Sequence, residues 1–113
     1  MTKKRYGKLV RDKIPQIIRD KGDIPNTRVM EKDEFRRELL YKLVEESEEA
    51  RKALYYDDKL PLEEELADVL EVFYAIIEEF ELDEAIIEKL RQKKLESNGG
   101  FENKIFLESV IMN

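Results

Sequence analysis

Two acidic stretches carry the residue types with which this chain could do chemistry: Leu43-Val44-Glu45-Glu46-Ser47-Glu48-Glu49-Ala50 and Glu64-Glu65-Leu66-Ala67-Asp68-Val69. If both are helical, the three-residue spacing sets Glu46 beside Glu49 and Glu65 beside Asp68, since side chains three or four apart are neighbours on a helix face. Two such helices packed together aim four carboxylates at one point. Burying one ionised carboxylate without a partner costs on the order of several kcal/mol, and several together repel one another. Lys or Arg partners, protons or a bound cation must offset that charge; Lys42, Lys89, Lys93 and Lys94 are candidates for the first. The chain has no histidine and no cysteine, and all-oxygen ligation suits Mg²⁺ or Mn²⁺ rather than zinc or a di-iron pair. A salt-bridged seam is the alternative.

Spacing alone says little in a chain with 27 acidic residues. Helical phase says more. The core-facing line of the first stretch runs Leu39, Leu43, Glu46, Ala50, Ala53, so Glu46 stands where an apolar residue is expected, with Glu49 beside it. In the second stretch Glu65, Asp68, Val69, Val72 and Ile76 form a similar line, whereas Glu38, Glu48, Arg51 and Lys52 fall largely on the opposite face of their helix. Glu45, four residues before Glu49, sits at the rim, where it could ligate a second metal or accept a proton from an attacking water.

Positioning these groups falls to a short chain. At 113 residues, without repeats or Ser/Gly/Pro-rich linkers, it reads as one domain spanning 1–113, with limited burial and therefore a disposition to oligomerise. Charged residues make up 42% of it, both signs interspersed, for a formal net charge of -6, which argues against a partner such as a nucleic-acid polymer. No apolar run approaches the ~18 residues of a membrane span, and the basic start from Met1 to Arg5 has no apolar stretch behind it. A cytoplasmic protein with no membrane partner is expected. Abundant Lys and Glu also suit a hyperthermophile, as they suit any surface-rich helical protein.

The apolar spacing predicts four helices. The first starts near Asp12 with Pro15 in its opening turn and stops before Gly22; the second is capped by Asp33 and runs to about Tyr55, with Leu39, Leu43, Ala50, Ala53 and Leu54 on one stripe. After a turn at 55–60, the third follows Pro61 to about Phe80 and carries Leu62, Leu66, Val69, Phe73, Ile76, Ile77 and Phe80. Asp83 caps the fourth, with Ile86, Ile87, Leu90 and Leu95 inward and Gly99-Gly100 at its end. The β-leaning segments 27–30 and 104–111 could pair as a minor two-stranded ribbon. The fold class expected is all-α.

The pattern Glu45-Glu46-x-x-Glu49 followed by Glu65-x-x-Asp68 resembles the signature of the all-α nucleoside triphosphate pyrophosphohydrolases, the MazG-like group that includes dimeric dUTPases, dCTP pyrophosphatases and phosphoribosyl-ATP pyrophosphohydrolase. The opening Lys8-Leu9-Val10-Arg11-Asp12-Lys13-Ile14-Pro15, with Gly99-Gly100-Phe101 after a basic helix end, is similar to small stand-alone house-cleaning members. The resemblance covers nearly the whole chain. It implies a four-helix MazG-like bundle protomer that assembles as a homodimer or homotetramer and hydrolyses a nucleotide substrate to a monophosphate and pyrophosphate with Mg²⁺. On that basis Glu46, Glu49, Glu65 and Asp68 match the metal ligands and Glu45 the catalytic position, while Lys8, Arg11, Lys13, Lys93, Lys94 and Lys104 are candidates for substrate phosphates. The chain lacks the Trp that some pyrimidine-specific branches use, leaving Tyr6, Tyr55, Tyr56, Phe73, Tyr74 or Phe101 to stack on a base, and Asn98 stands where a basic residue would precede the glycine pair. Phosphoribosyl-ATP hydrolysis and a non-catalytic helical interaction domain are the alternatives.

Overall fold

In a computed structural model the chain is described over residues 2–55 and 59–113, the side chains of Lys59 and Leu60 excepted. It is all-α: α1 spans Ile14–Asp20, α2 Lys32–Lys52, α3 Lys59–Glu79 and α4 Glu84–Asn98, with a 3₁₀ turn Ala53–Tyr55 after α2. Residues 56–58, which hold most of the turn expected at 55–60 and the aromatic Tyr56, lie outside the description. Among the described residues no strand forms, so 27–30 and 104–111 do not build the ribbon that their composition suggested. A two-stranded pairing is marginal in water without a sheet or helix to cover it. No helix of the described residues is long and apolar enough to cross a membrane.

The helix ends follow local chemistry. Pro15 occupies the opening turn of α1, where its missing N–H costs nothing, and the helix closes at Gly22, whose φ of +90° disfavours a side chain. The N-cap of α2 is Glu31 rather than Asp33; Asp33 and Glu34 sit in the first turn, where negative charge suits the helix dipole. Glu34 also accepts two hydrogen bonds from Arg28, both 2.7 Å, and that pairing holds its carboxyl below the usual range. The side chain of Asp83 accepts a hydrogen bond from the Ala85 N–H at 2.8 Å, capping α4 as the sequence indicated, and Gly99 at φ +83° ends it.

The chain divides into two compact units, Met1–Leu82 and Asp83–Asn113. In the first, α2 packs against α3. Arg36 meets Glu79, Glu46 lies with Glu65 and Asp68, and Glu49 and Ala53 share a cavity with Pro61 and Glu64, so numbers rise along one helix as they fall along the other. The helices are therefore antiparallel. Leu39, Ala53 and Val72 are buried, and Leu43, Ala50, Val69, Phe73, Ile76 and Ile77 are half-buried around them. Leu54, Leu62 and Leu66, expected on the inward stripes, are exposed, because a two-helix interface covers only one side of each helix.

Arg36 fastens the far end of this pair. Its guanidinium lies 4.7 Å from the centre of the Phe80 ring, 3.4 Å from the Glu79 carboxylate, and donates to the Glu79 carbonyl at 3.3 Å. That carbonyl belongs to the last turn of α3, whose C=O groups have no partner within the helix.

In the second unit only Ile87 of the four apolar positions of α4 is half-buried; Ile86, Leu90 and Leu95, expected inward, are exposed. One helix and an extended tail offer little surface against which to bury an apolar stripe.

Candidate functional site

The antiparallel packing brings Glu46 of α2 to Glu65 and Asp68 of α3. One carboxylate oxygen from each lies within 4.8 Å of the other two. Three-residue spacing puts the α3 pair on one face, and Glu46 reaches them because it occupies a core-facing position of α2 between Leu43 and Ala50. Its side chain is only 15% exposed.

The electrostatics show the strain of that placement. Burial is the first cause that raises the Glu46 carboxyl above its ordinary value, and the neighbouring charges of Asp68, Glu45 and Glu65 add to it, against the opposing effect of Lys42. The ammonium of Lys42, a side chain only 16% exposed, lies 3.7 Å from Glu46 and 3.4 Å from Glu45. Asp68 accepts a hydrogen bond from Arg11 at 2.7 Å, which ties the opening segment to α3. Lys8 lies 3.9 Å from Glu45, tying the same segment to α2, and stacks over Tyr6 at 5.8 Å.

The expected residues thus fall into three groups. Glu46, Glu65 and Asp68 converge, with Glu45, Lys8 and Arg11 at their margin. Glu49 is not in the trio: it faces Lys52 at 3.2 Å and lines a cavity of about 270 Å³ with Lys52, Ala53, Pro61, Glu64 and Glu65. Lys13 is exposed at the N-cap of α1, while Lys93 and Lys94 on α4 and Lys104 in the tail belong to the second unit. Two features had no sequence signal of their own: the Arg11–Asp68 pair spans 57 positions, and Lys52, placed by phase on the opposite face of its helix, lines the adjoining cavity together with Glu64.

The donor set is of the kind that could hold a hard divalent cation. Three carboxylates on two facing helices offer one oxygen each within 4.8 Å of one another, and one of them is held largely out of water. No protein-family model, no curated protein and no solved structure matches the chain.

Proposed function

We propose that the chain is a Mg²⁺-dependent nucleotide pyrophosphohydrolase of the all-α kind its motifs resemble, cleaving a nucleoside triphosphate, non-canonical by preference, to the monophosphate and pyrophosphate. The observation that carries this reading is the convergence of Glu46, Glu65 and Asp68 within 4.8 Å. Glu46, Glu65 and Asp68 would hold the ion, which supplies a Lewis acid for phosphate oxygens and lowers the pKa of water.

The chain's own residues do the rest. Glu45, at the rim and 43% exposed, accepts the proton of the attacking water. Lys8, at 3.9 Å, and Lys42, at 3.4 Å, flank its carboxylate. Arg11, more than half exposed, exchanges the Asp68 carboxylate for a substrate phosphate, whose oxygens its planar fork matches. Such groups act by positioning and by stabilising charge on the departing pyrophosphate.

The test is pyrophosphate release across standard and modified nucleoside triphosphates and phosphoribosyl-ATP, with Mg²⁺ or Mn²⁺. Activity is expected on at least one, lost in Glu46→Gln and Asp68→Asn with helicity unchanged. Full activity in both variants would sink the site assignment, and a flat result on every substrate would sink the enzyme reading.

A second reading has an observation of its own. The Arg11–Asp68 pair at 2.7 Å and Lys42 beside Glu46 form a salt-bridged seam, as a non-catalytic helical interaction domain would use. It requires melting to be indifferent to Mg²⁺ at fixed ionic strength.

A further inference from the structure

Within the first unit, the opening segment ties the two helices of the acidic cluster together from outside. Residues 2–12 form neither helix nor strand. Their described ion pairs are Lys8 with Glu45 of α2 at 3.9 Å and Arg11 with Asp68 of α3 at 2.7 Å. Leu9 and Val10 between them are half-buried, and the Arg11 carbonyl accepts a hydrogen bond from the Ile14 N–H at 3.0 Å, in the turn that opens α1. The backbone is therefore anchored here. The Arg11 side chain, by contrast, is 59% exposed, against 16% for Lys42, the other cation that meets the trio. Of the two, Arg11 is the one that can swing into water.

We propose that Arg11 is a latch on the cation site: without a divalent ion its guanidinium is the counter-charge of Asp68, an ion entering between Glu46, Glu65 and Asp68 expels it, and only then is it open to an anion. The proposal rests on the trio holding a cation and not on any catalytic step. Charge sets the direction. Glu45, Glu46, Glu65 and Asp68 face Lys8, Lys42 and Arg11, which leaves one negative charge over. A dication that enters with all three cations in place turns the group positive by one charge, and the departure of Arg11 returns it to neutrality.

Distance makes the repulsion effective. An ion about 2.1 Å from an Asp68 oxygen lies no more than about 7 Å from a guanidinium nitrogen that is itself 2.7 Å from the same carboxylate. That is inside the Debye length of about 8 Å at physiological ionic strength. The pair to be broken is exposed and therefore weak, and the freed planar fork matches the oxygens of a phosphate. A salt-bridged seam requires the reverse, since there Arg11 holds the cluster together and has nothing to give way to.

The test measures Mn²⁺ binding, from the electron paramagnetic resonance of the free ion, in the parent chain, Arg11→Gln, Arg11→Lys and Arg28→Gln, with helicity checked by circular dichroism. Arg11→Gln should bind Mn²⁺ about fivefold more tightly than the parent, and Arg11→Lys should return toward the parent. Arg28→Gln, which loses an ion pair to Glu34 in the first turn of α2, should match the parent. In the parent chain itself, nitrogen-15 NMR follows the guanidinium of Arg11, assigned by its loss in Arg11→Lys. Mg²⁺ should speed its hydrogen exchange with water and leave Arg28 unchanged, and inorganic phosphate should shift its signal only once Mg²⁺ is present. Mn²⁺ binding no tighter in Arg11→Gln than in the parent, an Arg11 signal that Mg²⁺ leaves protected, or an equal phosphate response without Mg²⁺ would each overturn the latch and leave the cation site standing. Absence of Mn²⁺ binding from every chain would overturn both.

Discussion

Replacing Glu46 by Gln should stabilise the metal-free protein and abolish its response to Mg²⁺. Glu46 faces Glu65 and Asp68 at no more than 4.8 Å and Lys42 at 3.7 Å. At an effective dielectric of about 20, each repulsion is worth about 3.5 kcal/mol and the attraction about 4.5 kcal/mol; in bulk water they fall to about 0.9 and 1.1 kcal/mol. Two repulsions outweigh one attraction by about 0.6 to 2.5 kcal/mol between these limits, and the half-exposed Asp68 places the answer toward the lower end. An amide also avoids the cost of burying charge. At about 4 °C per kcal/mol, Tm should rise by about 2 to 10 °C without divalent ions. Adding Mg²⁺ at about a hundred times its Kd should stabilise the unsubstituted chain by about 2.7 kcal/mol, reversing the order of the two melts. The assay is thermal unfolding by circular dichroism at neutral pH, with NaCl matching the ionic strength of MgCl₂. A Glu46→Gln chain that melts lower than its parent without metal would refute the repulsion, and a parent indifferent to Mg²⁺ would refute the site.

The same carboxyl fixes a pH dependence. Its native value lies above the 4.5 of the free group, first because of burial, so between the two values the native state binds more protons than the unfolded one. Metal-free stability should therefore fall as pH rises through that window, and Glu46→Gln should flatten this part of a urea-midpoint profile. Glu34, held low by Arg28, works in the opposite sense: its contribution is present above 4.5 and is lost as pH falls through its native value. Arg36→Ala removes the Glu79 and Phe80 contacts at a part-exposed position and should cost about 1 to 2 kcal/mol, seen as a lower urea midpoint, with Arg36→Lys recovering only a fraction because an ammonium cannot reproduce the fork. Leu39→Ala, at the most buried side chain described, should cost about 2 to 4 kcal/mol by the same measurement.

The parts legible in the sequence were those set by local periodicity and by phase. Pro15, Asp83 and Gly99 punctuate helices where expected, and the inward line of α2 placed Glu46 among core residues before any contact was known. Glu65 and Asp68 followed from the same reasoning on α3. Contacts made across the fold were not legible in this way. Glu49 shares the three-residue spacing that brings Glu65 and Asp68 together, yet its carboxylate pairs with Lys52 and lines the cavity instead of the trio, a choice of partner that spacing does not encode. The Arg11–Asp68 pair depends on where the opening segment lies, which no repeat or spacing encodes. The fourth helix shows the limit of amphipathic reading: Ile86, Leu90 and Leu95 mark an apolar face, but a pattern names a face to be covered without naming what covers it.

Charge balance separates the two readings of the acidic cluster at one residue. Glu45, Glu46, Glu65 and Asp68 carry four negative charges, and Lys8, Lys42 and Arg11 bring three positive ones within ion-pair distance. Asp68 has Arg11, Glu46 and Glu45 share Lys42, and Glu45 also has Lys8. Glu65 alone of the four has no ion pair among the described residues, although it lies half-buried beside two other carboxylates. In a salt-bridged seam Glu65 is a net cost: it repels its neighbours and pairs with nothing, so Glu65→Gln should strengthen the seam and leave assembly intact. In a cation site the same residue is the free oxygen donor around which Glu46 and Asp68 are gathered. The unpaired charge is unexplained waste in the first case and the reason for the arrangement in the second, which is why the cation site is the stronger reading of these three side chains.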